Sequence, residues 1–241
     1  MILYGKNSVF ERLRANPKSI RKIFLLQTFH EPPIEQLIKK NNISLSRISA
    51  KELAKIKPAD TLQGIIAQVG GFNYVFFDDV LRQTPPRQPT LIFLDRIYDP
   101  QNLGSIIRTA ACFGGFAIVI PKYKACEVNE TVLHVAQGGE NFVSVSMATN
   151  LSTAILEAKK HGYWIMGTFP RDDAPDITKL TLPFPLGLVF GSEGEGIRYG
   201  VEKHLDIKAR IPTEGAHLSL NVTLACAIFC HEISKQKKAS L

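Results

Sequence analysis

The absences in this 241-residue chain narrow its possible roles. There is no run of about 18 uncharged apolar residues, and the start, MILYGKNSVFERLRANP, is charged too early for a secretory leader. A soluble, cytoplasmic protein with no membrane partner is therefore the expectation. Cysteine is sparse: Cys112, Cys126, Cys226 and Cys230 form no CxxC pair, which favours buried free thiols over a metal site or a disulfide. Cys226 and Cys230 stand at i,i+4 and would share a helix face. No internal repeat is present. The Gly-rich run Gly191-Ser192-Glu193-Gly194-Glu195-Gly196 is neither GxGxxG nor GxxxxGK[ST], and its two glutamates would repel a bare pyrophosphate. A nucleoside without phosphates, or a cationic ligand, suits it better.

Apolar residues make up 45% of the chain, enough for a sizeable core. The formal charge of +7 is unevenly placed: residues 1–78 hold 12 Lys/Arg against 6 Asp/Glu, and residues 79–241 hold 17 against 16. A polyanion-binding module joined to a nearly neutral one fits that asymmetry. The expected organisation is a small α/β polyanion-binding domain over 1–78, an extended linker over 79–89 around Thr84-Pro85-Pro86-Arg87-Gln88-Pro89, and a second α/β domain over 90–241.

Periodicity predicts helices at 7–13, 34–40 and 50–56, with strands at 23–26, 44–48 and 65–69 in the first part. Beyond Leu91 it predicts strands at 91–94, 117–120, 143–145, 163–166, 186–190 and 207–211. Helices are expected between them at 103–113, 129–136, 151–161 and 197–204, and at 222–234, with Lys235–Lys238 as a frayed end. Short apolar strands separated by helices indicate a mostly parallel sheet covered on both faces, with ligands bound outside the carboxyl ends of its strands.

Three loops at such ends carry the chemistry. The first holds Asp95, Asp99, Asn102 and Gly104, with Arg108 one turn beyond Gly104, near a helix N-terminus where a guanidinium can hold a phosphate. The second is the Gly191–Gly196 run. The third follows the last strand through Pro212 and Gly215 to His217, then Ser219, Leu220 and Asn221, an irregular stretch whose backbone groups are free to bind a planar polar ligand.

The runs LDRIYDPQNLGSIIRTAACFG (94–114), LVFGSEGEGI (188–197) and IPTEGAHLSLNVTLACAI (211–228) resemble, in order and spacing, the three signature motifs of the SpoU/TrmH RNA 2'-O-ribose methyltransferases of the SPOUT superfamily. The segments YGKNSVFERL (4–13) and LQGIIAQV (62–69) resemble the bookends of that family's L30e/L7Ae-like substrate-binding domain. The resemblance implies an α/β-knot fold with a deep trefoil knot, a homodimer, no metal, and S-adenosyl-L-methionine as cofactor, held largely by backbone at Gly191, Ile211 and Leu220 with help from Thr168. It also implies Arg108 as the essential arginine, with Asn102, Glu193, Ser219 and Asn221 as the polar residues of the motifs. Three departures stand out: Thr223 in place of serine, Thr213 in place of methionine, and Asn141 rather than Glu140 at the usual glutamate position. Neither Glu140 nor Asn141 is therefore an expected site residue.

The sulfonium methyl is already activated, so the protein must position a ribose 2'-hydroxyl and help remove its proton. A guanidinium stays protonated, so Arg108 is expected to bind the adjacent phosphate and stabilise the alkoxide rather than act as base. The favoured substrate is 23S rRNA guanosine. A tRNA enzyme is the alternative within the class, and a catalytically inactive knotted RNA-binding protein the alternative outside it, the latter set apart by failure to bind S-adenosylmethionine. A nucleotide-dependent oxidoreductase would want a Gly-rich turn where DPQNLG stands.

Overall fold

The structure is a computed structural model describing residues 1–239 apart from 60, 172, 216 and 217. Its first part runs β1 (Ile2–Tyr4), α1 (Lys6–Ala15), β2 (Ile20–Leu26), α2 (Pro32–Lys40), β3 (Leu45–Ile48), α3 (Ala50–Ile56) and β4 (Ile65–Val69). These strands form a sheet of order β1-β4-β2-β3, in which only β2 and β3 run parallel. Helix α3 starts where the S-x-x-E signal places it: the Ser49 hydroxyl accepts from the Glu52 amide while the Glu52 carboxylate accepts from the Ser49 amide.

The second part contains α4 (Phe77–Leu81), β5 (Thr90–Leu94), α5 (Pro100–Phe113), β6 (Phe116–Pro121), α6 (Glu130–Ala136), β7 (Ser144–Ala148), α7 (Leu151–Lys160), β8 (Trp164–Thr168), β9 (Leu186–Phe190), α8 (Tyr199–Glu202), β10 (Ile207–Ala209) and α9 (Val222–Ala239). Its six-stranded sheet has the order β10-β8-β9-β5-β6-β7 and is parallel throughout. Strands β5, β6 and β9 are buried along their whole length, the signature of a sheet covered on both faces. On one face Ile92, Leu94, Leu188 and Phe190 meet Ile106 and Ile107 of α5 and Phe229 and Ile233 of α9. On the other, Leu91, Phe93 and Val189 meet Ile155 of α7 and Val80 and Leu81 of α4. Chain order runs outward from β5 to β6 and β7 and then returns on the other side through β8, β9 and β10. The topological switch point therefore falls at the β9/β5 boundary.

Several local expectations are corrected. The 77–81 stretch is helical and supplies core side chains, so the extended connection is confined to the Pro-rich residues after it. Helix α5 begins at Pro100, with the Asp99 carboxylate accepting from the Gln101 amide, so Arg108 sits eight residues in, about 12 Å from the N-terminus. The helix-terminus field cannot account for an anion at Arg108. Helix α8 spans only Tyr199–Glu202, because Asp95 accepts from the Arg198 amide and side chain and holds that residue extended. The basic C-terminal stretch is helical rather than frayed: Gln236 donates to Leu180 O and accepts from the Leu182 amide, and Lys237 donates to Gln88 O.

The two sheet regions meet along α6. The Tyr4 ring stacks on His134 at 4.1 Å, and Glu130 accepts from the Ile2 amide at 2.6 Å and from Lys57 at 2.8 Å. Burial alone would raise the Glu130 pKa, but the Lys57 and Ile2 hydrogen bonds and the N-terminal charge together hold it below the ordinary 4.5. A depressed carboxylate contributes its stability above the unfolded pKa and loses it as pH falls through the folded one. Acidification below about pH 4.5 should therefore loosen this contact. The protection factor of the Ile2 amide, its exchange normalised to the intrinsic rate at each pH, should fall in that window in the wild type. In Glu130→Gln, which cannot titrate, the protection factor should stay constant across it.

Candidate active site

The carboxyl ends of β8, β9 and β10 and the start of α9 surround a cavity of about 750 Å³, within the range of sites for small ligands. Thr168, Gly191, Glu193, Ile211, Ser219, Leu220 and Asn221 all line it. His217 lies outside the described residues. The Thr168 hydroxyl donates to Val189 O, which ties the end of β8 to β9.

The 191–196 loop is a tight bridged turn in which the Ser192 and Gly196 amides each donate to the other's carbonyl. A Cβ at Gly191 would lie 2.1 Å from the Gly196 carbonyl carbon and 2.2 Å from the Ile197 amide nitrogen. Only glycine closes this turn. Asp95, fully buried, anchors the next residues: its Oδ1 accepts from Arg198 Nε at 2.8 Å and its Oδ2 from the Arg198 amide at 2.9 Å. That pairing raises the Arg198 pKa, the hydrogen bond to Asp95 being the main cause.

A polar triad stands at the mouth. Asn102 Nδ2 and Asn221 Nδ2 both donate to Glu193 Oε1, at 2.8 and 3.0 Å. The Asn221 Oδ1 also accepts from the Thr223 amide and hydroxyl, at 2.8 and 2.7 Å, so Asn221 caps α9 and holds the carboxylate at once. The hydroxyl that Thr223 shares with serine is thus in use. Glu195 pairs with Arg96, a residue in the left-handed region at φ 62°, and Glu202 accepts from Lys208 and Arg171. The Lys208 hydrogen bond is the largest cause holding Glu202 below the ordinary carboxylate range, with Arg171 adding to it.

Asn102 thus joins the site through Glu193, whereas Arg108 does not line the cavity of its own chain. It is exposed on α5, and among the described residues no acidic side chain pairs with it: Asp95 is committed to Arg198 and Asp99 to the α5 cap. Cys226 and Cys230 are buried and free, with Sγ atoms 3.8 Å apart. Among the described residues no cluster suits a metal ion, and no helix is long and apolar enough to cross a membrane.

Sequence reasoning missed Arg171 and Arg210 on the cavity wall, and it missed a buried pair outside it. Arg12 of α1 donates to Glu140 Oε1 at 2.9 Å, across 128 residues of chain. No local pattern signals a contact of that separation.

The model of the SpoU rRNA Methylase family matches residues 89–231. The chain belongs to the SpoU rRNA methylase family. A second model, RNA 2'-O ribose methyltransferase substrate binding, matches residues 2–75. The putative TrmH family tRNA/rRNA methyltransferase YacO of Bacillus subtilis is 32% identical over 97% of this chain and 94% of its own. The 23S rRNA (guanosine-2'-O-)-methyltransferase RlmB of Pseudomonas aeruginosa is 32% identical over 98% and 96%. Among solved structures, the SpoU methyltransferase AviRb of Streptomyces viridochromogenes, in complex with AdoMet, superposes with a TM-score of 0.82 at 17% identity, covering 99% of this chain and 91% of that one. As a SpoU methylase with the matching substrate-binding region, the protein is an S-adenosylmethionine-dependent RNA 2'-O-methyltransferase.

The cavity fits that cofactor. Gly191, Gly194 and Gly196 leave main chain bare along its 191–196 wall, and apolar Ile211, Leu220 and Phe229 line the rest. Glu193, which has one oxygen outside its two asparagine hydrogen bonds, suits a cationic group of the cofactor, while Arg210 suits its carboxylate.

Proposed function

We propose that the protein methylates the ribose 2'-hydroxyl of a guanosine in 23S rRNA, in the cytoplasm, as a homodimer. The single observation that carries the reading is the cavity at the carboxyl ends of β8, β9 and β10, with a polar cluster at its mouth. There the backbone-lined turn and the Asn102–Glu193–Asn221 cluster stand together. The choice of rRNA guanosine rests on the similarity to RlmB-type proteins over nearly the whole chain. Methylation of total RNA from a deletion strain with labelled cofactor, followed by mapping of the modified ribose, tests it. A label confined to tRNA would replace the rRNA assignment, and no incorporation with no cofactor binding would favour a knotted RNA-binding protein.

When bound, the cofactor supplies an activated methyl group. Thr168, Gly191, Ile211 and Leu220 would hold it, the turn 191–196 lying on one side and residues 210–213 and 218–221 on the other. Glu193, fixed through one oxygen by Asn102 and Asn221, keeps its other oxygen for substrate or cofactor, and Ser219 lies beside it. Arg108 binds the phosphate next to the target ribose and stabilises the alkoxide as the proton passes to that phosphate.

The dimer explains why Arg108 stands away from its own cavity. Arg108 and Cys112 lie on one exposed stripe of α5, and Leu224 and Ile228 lie on an exposed stripe of α9. The ring contact of Phe113 with His231, at 6.1 Å between centroids, joins the two stripes into one surface. A second copy packed there brings Arg108 to the junction between subunits. Leu224→Glu should convert the dimer to a monomer in light scattering, with an unchanged circular dichroism spectrum and activity down at least about tenfold.

A further inference from the structure

A second cleft, of about 420 Å³, opens between the two sheet regions, and nothing in the methyl-transfer chemistry uses it. Its walls are the end of α1, the connecting segment 71–75 and the segment 140–145. The Arg12–Glu140 pair lies among these walls, with Arg12 Nε and Glu140 Oε2 buried and unpartnered in the protein. A pair that deep fixes the shape of the cleft. It also leaves one donor and one acceptor to be satisfied by whatever enters, water included.

Three side chains at the mouth are left free in a way that a domain boundary alone does not require. Phe142 is 61% exposed, a large apolar ring facing solvent beside a polar cleft. Asn16 and Asn73 line the same opening, and among the described residues neither side-chain amide has a hydrogen-bond partner. Just beyond, Lys18 and Arg21 are exposed and carry no ion pair among the described residues. An aromatic face, two amides able to donate and accept, and flanking cations together match an unstacked nucleotide: ring on ring, amides on the base edge, cations on phosphates.

The cleft is also coupled to the reaction centre. Gly139 packs so closely on α5 that a Cβ there would lie 3.1 Å from Arg108 Cα. On the other side, a Cβ at Gly138 would meet Glu11 of α1 at 2.3 Å. The 138–141 turn is therefore clamped between the N-terminal region and the turn of α5 that carries Arg108.

We propose that this cleft receives an unpaired nucleobase of the RNA that lies near the methylated ribose. The base stacks on Phe142, and Asn16 and Asn73 read its edge. The proposal rests on the reading of Arg108 as the residue that holds the target phosphate, because it is that residue's proximity which makes the cleft a neighbouring subsite.

The test uses the full-length protein, with unmethylated total rRNA from a deletion strain as probe. In Phe142→Ala and in Asn73→Ala, KM for the RNA should rise about tenfold, the scale of one lost base–aromatic contact. Turnover at saturation and the Kd for S-adenosylmethionine should stay within about twofold of wild type. Phe142→Trp should keep the wild-type KM, which a loss of fold would not allow. An unchanged KM in both the Phe142→Ala and Asn73→Ala proteins overturns the proposal. If the wild type does not methylate this RNA, filter binding decides. A weaker RNA Kd in Phe142→Ala keeps the cleft as an RNA subsite and removes the rRNA assignment, whereas an unchanged Kd overturns the cleft as well.

Discussion

Arg108→Ala is expected to lower methyl transfer by about 1,000-fold or more while leaving the Kd for S-adenosylmethionine within about twofold of wild type. Two effects combine to give that size. Loss of a charged group that stabilises a developing oxyanion costs about 100- to 1,000-fold, and loss of the phosphate clamp adds misplacement of the ribose. The cofactor should be indifferent because Arg108 does not line its cavity, and the protein should stay folded because the side chain is exposed and has no hydrogen bond or ion pair among the described residues. Isothermal titration and a single-turnover methylation assay separate the two quantities. Equal loss of both would show that Arg108 serves the cofactor rather than the substrate. Arg108→Lys should recover only part of the activity, since an ammonium keeps the charge but not the two-pronged grip on phosphate.

Gly191→Ala should fail in the opposite order, losing the cofactor first. The added methyl carbon would overlap two backbone atoms at 2.1 and 2.2 Å, and backbone cannot swing aside as a flexible side chain can. The turn must open, and the Ser192–Gly196 hydrogen bonds open with it. Overpacking of this kind costs about 1–3 kcal/mol, so S-adenosylmethionine should bind roughly 100-fold more weakly. Saturating cofactor should then restore much of the turnover, because Arg108, Asn102 and Asn221 stay in place. If titration shows normal affinity in Gly191→Ala, the 191–196 turn is not a cofactor wall. Run side by side, the two substitutions separate substrate handling from cofactor handling.

Much of this arrangement is legible in the chain because it is local. The capping signal Ser49-x-x-Glu52 fixes the start of α3, the all-apolar run Leu186–Phe190 fixes a central strand, and Asn150 caps α7 by accepting from the Ser152 and Thr153 amides. Seven of the expected site residues line one cavity because strand-to-loop transitions place them at one end of a parallel sheet. Where local pattern competes with distant contacts, the reading falters. Helix α4 hides in a segment of mixed aromatics and acids because its helicity depends on burying Val80 and Leu81 under the second sheet. Arg198 begins a helical pattern yet stays extended because Asp95, more than 100 residues away in sequence, holds it. Arg108 follows Gly104 by one turn, but the helix had already begun at Pro100. The Arg12–Glu140 pair and the cleft it shapes have no signal in either stretch alone.

The contact of β1 with α6 also bears on how this protein can be dissected. Strand β1 is the outermost strand of its sheet, paired on one side only, with β4. On its open side the Ile2 amide is engaged by Glu130, and the Tyr4 ring and carbonyl are covered by His134. Cleavage of the chain after residue 75 would strip away that cover and leave an apolar strand with free amides and carbonyls, a template for another copy to pair with. A fragment cut there is therefore expected to self-associate through β1, and a charged replacement at Ile2 is the change expected to prevent it.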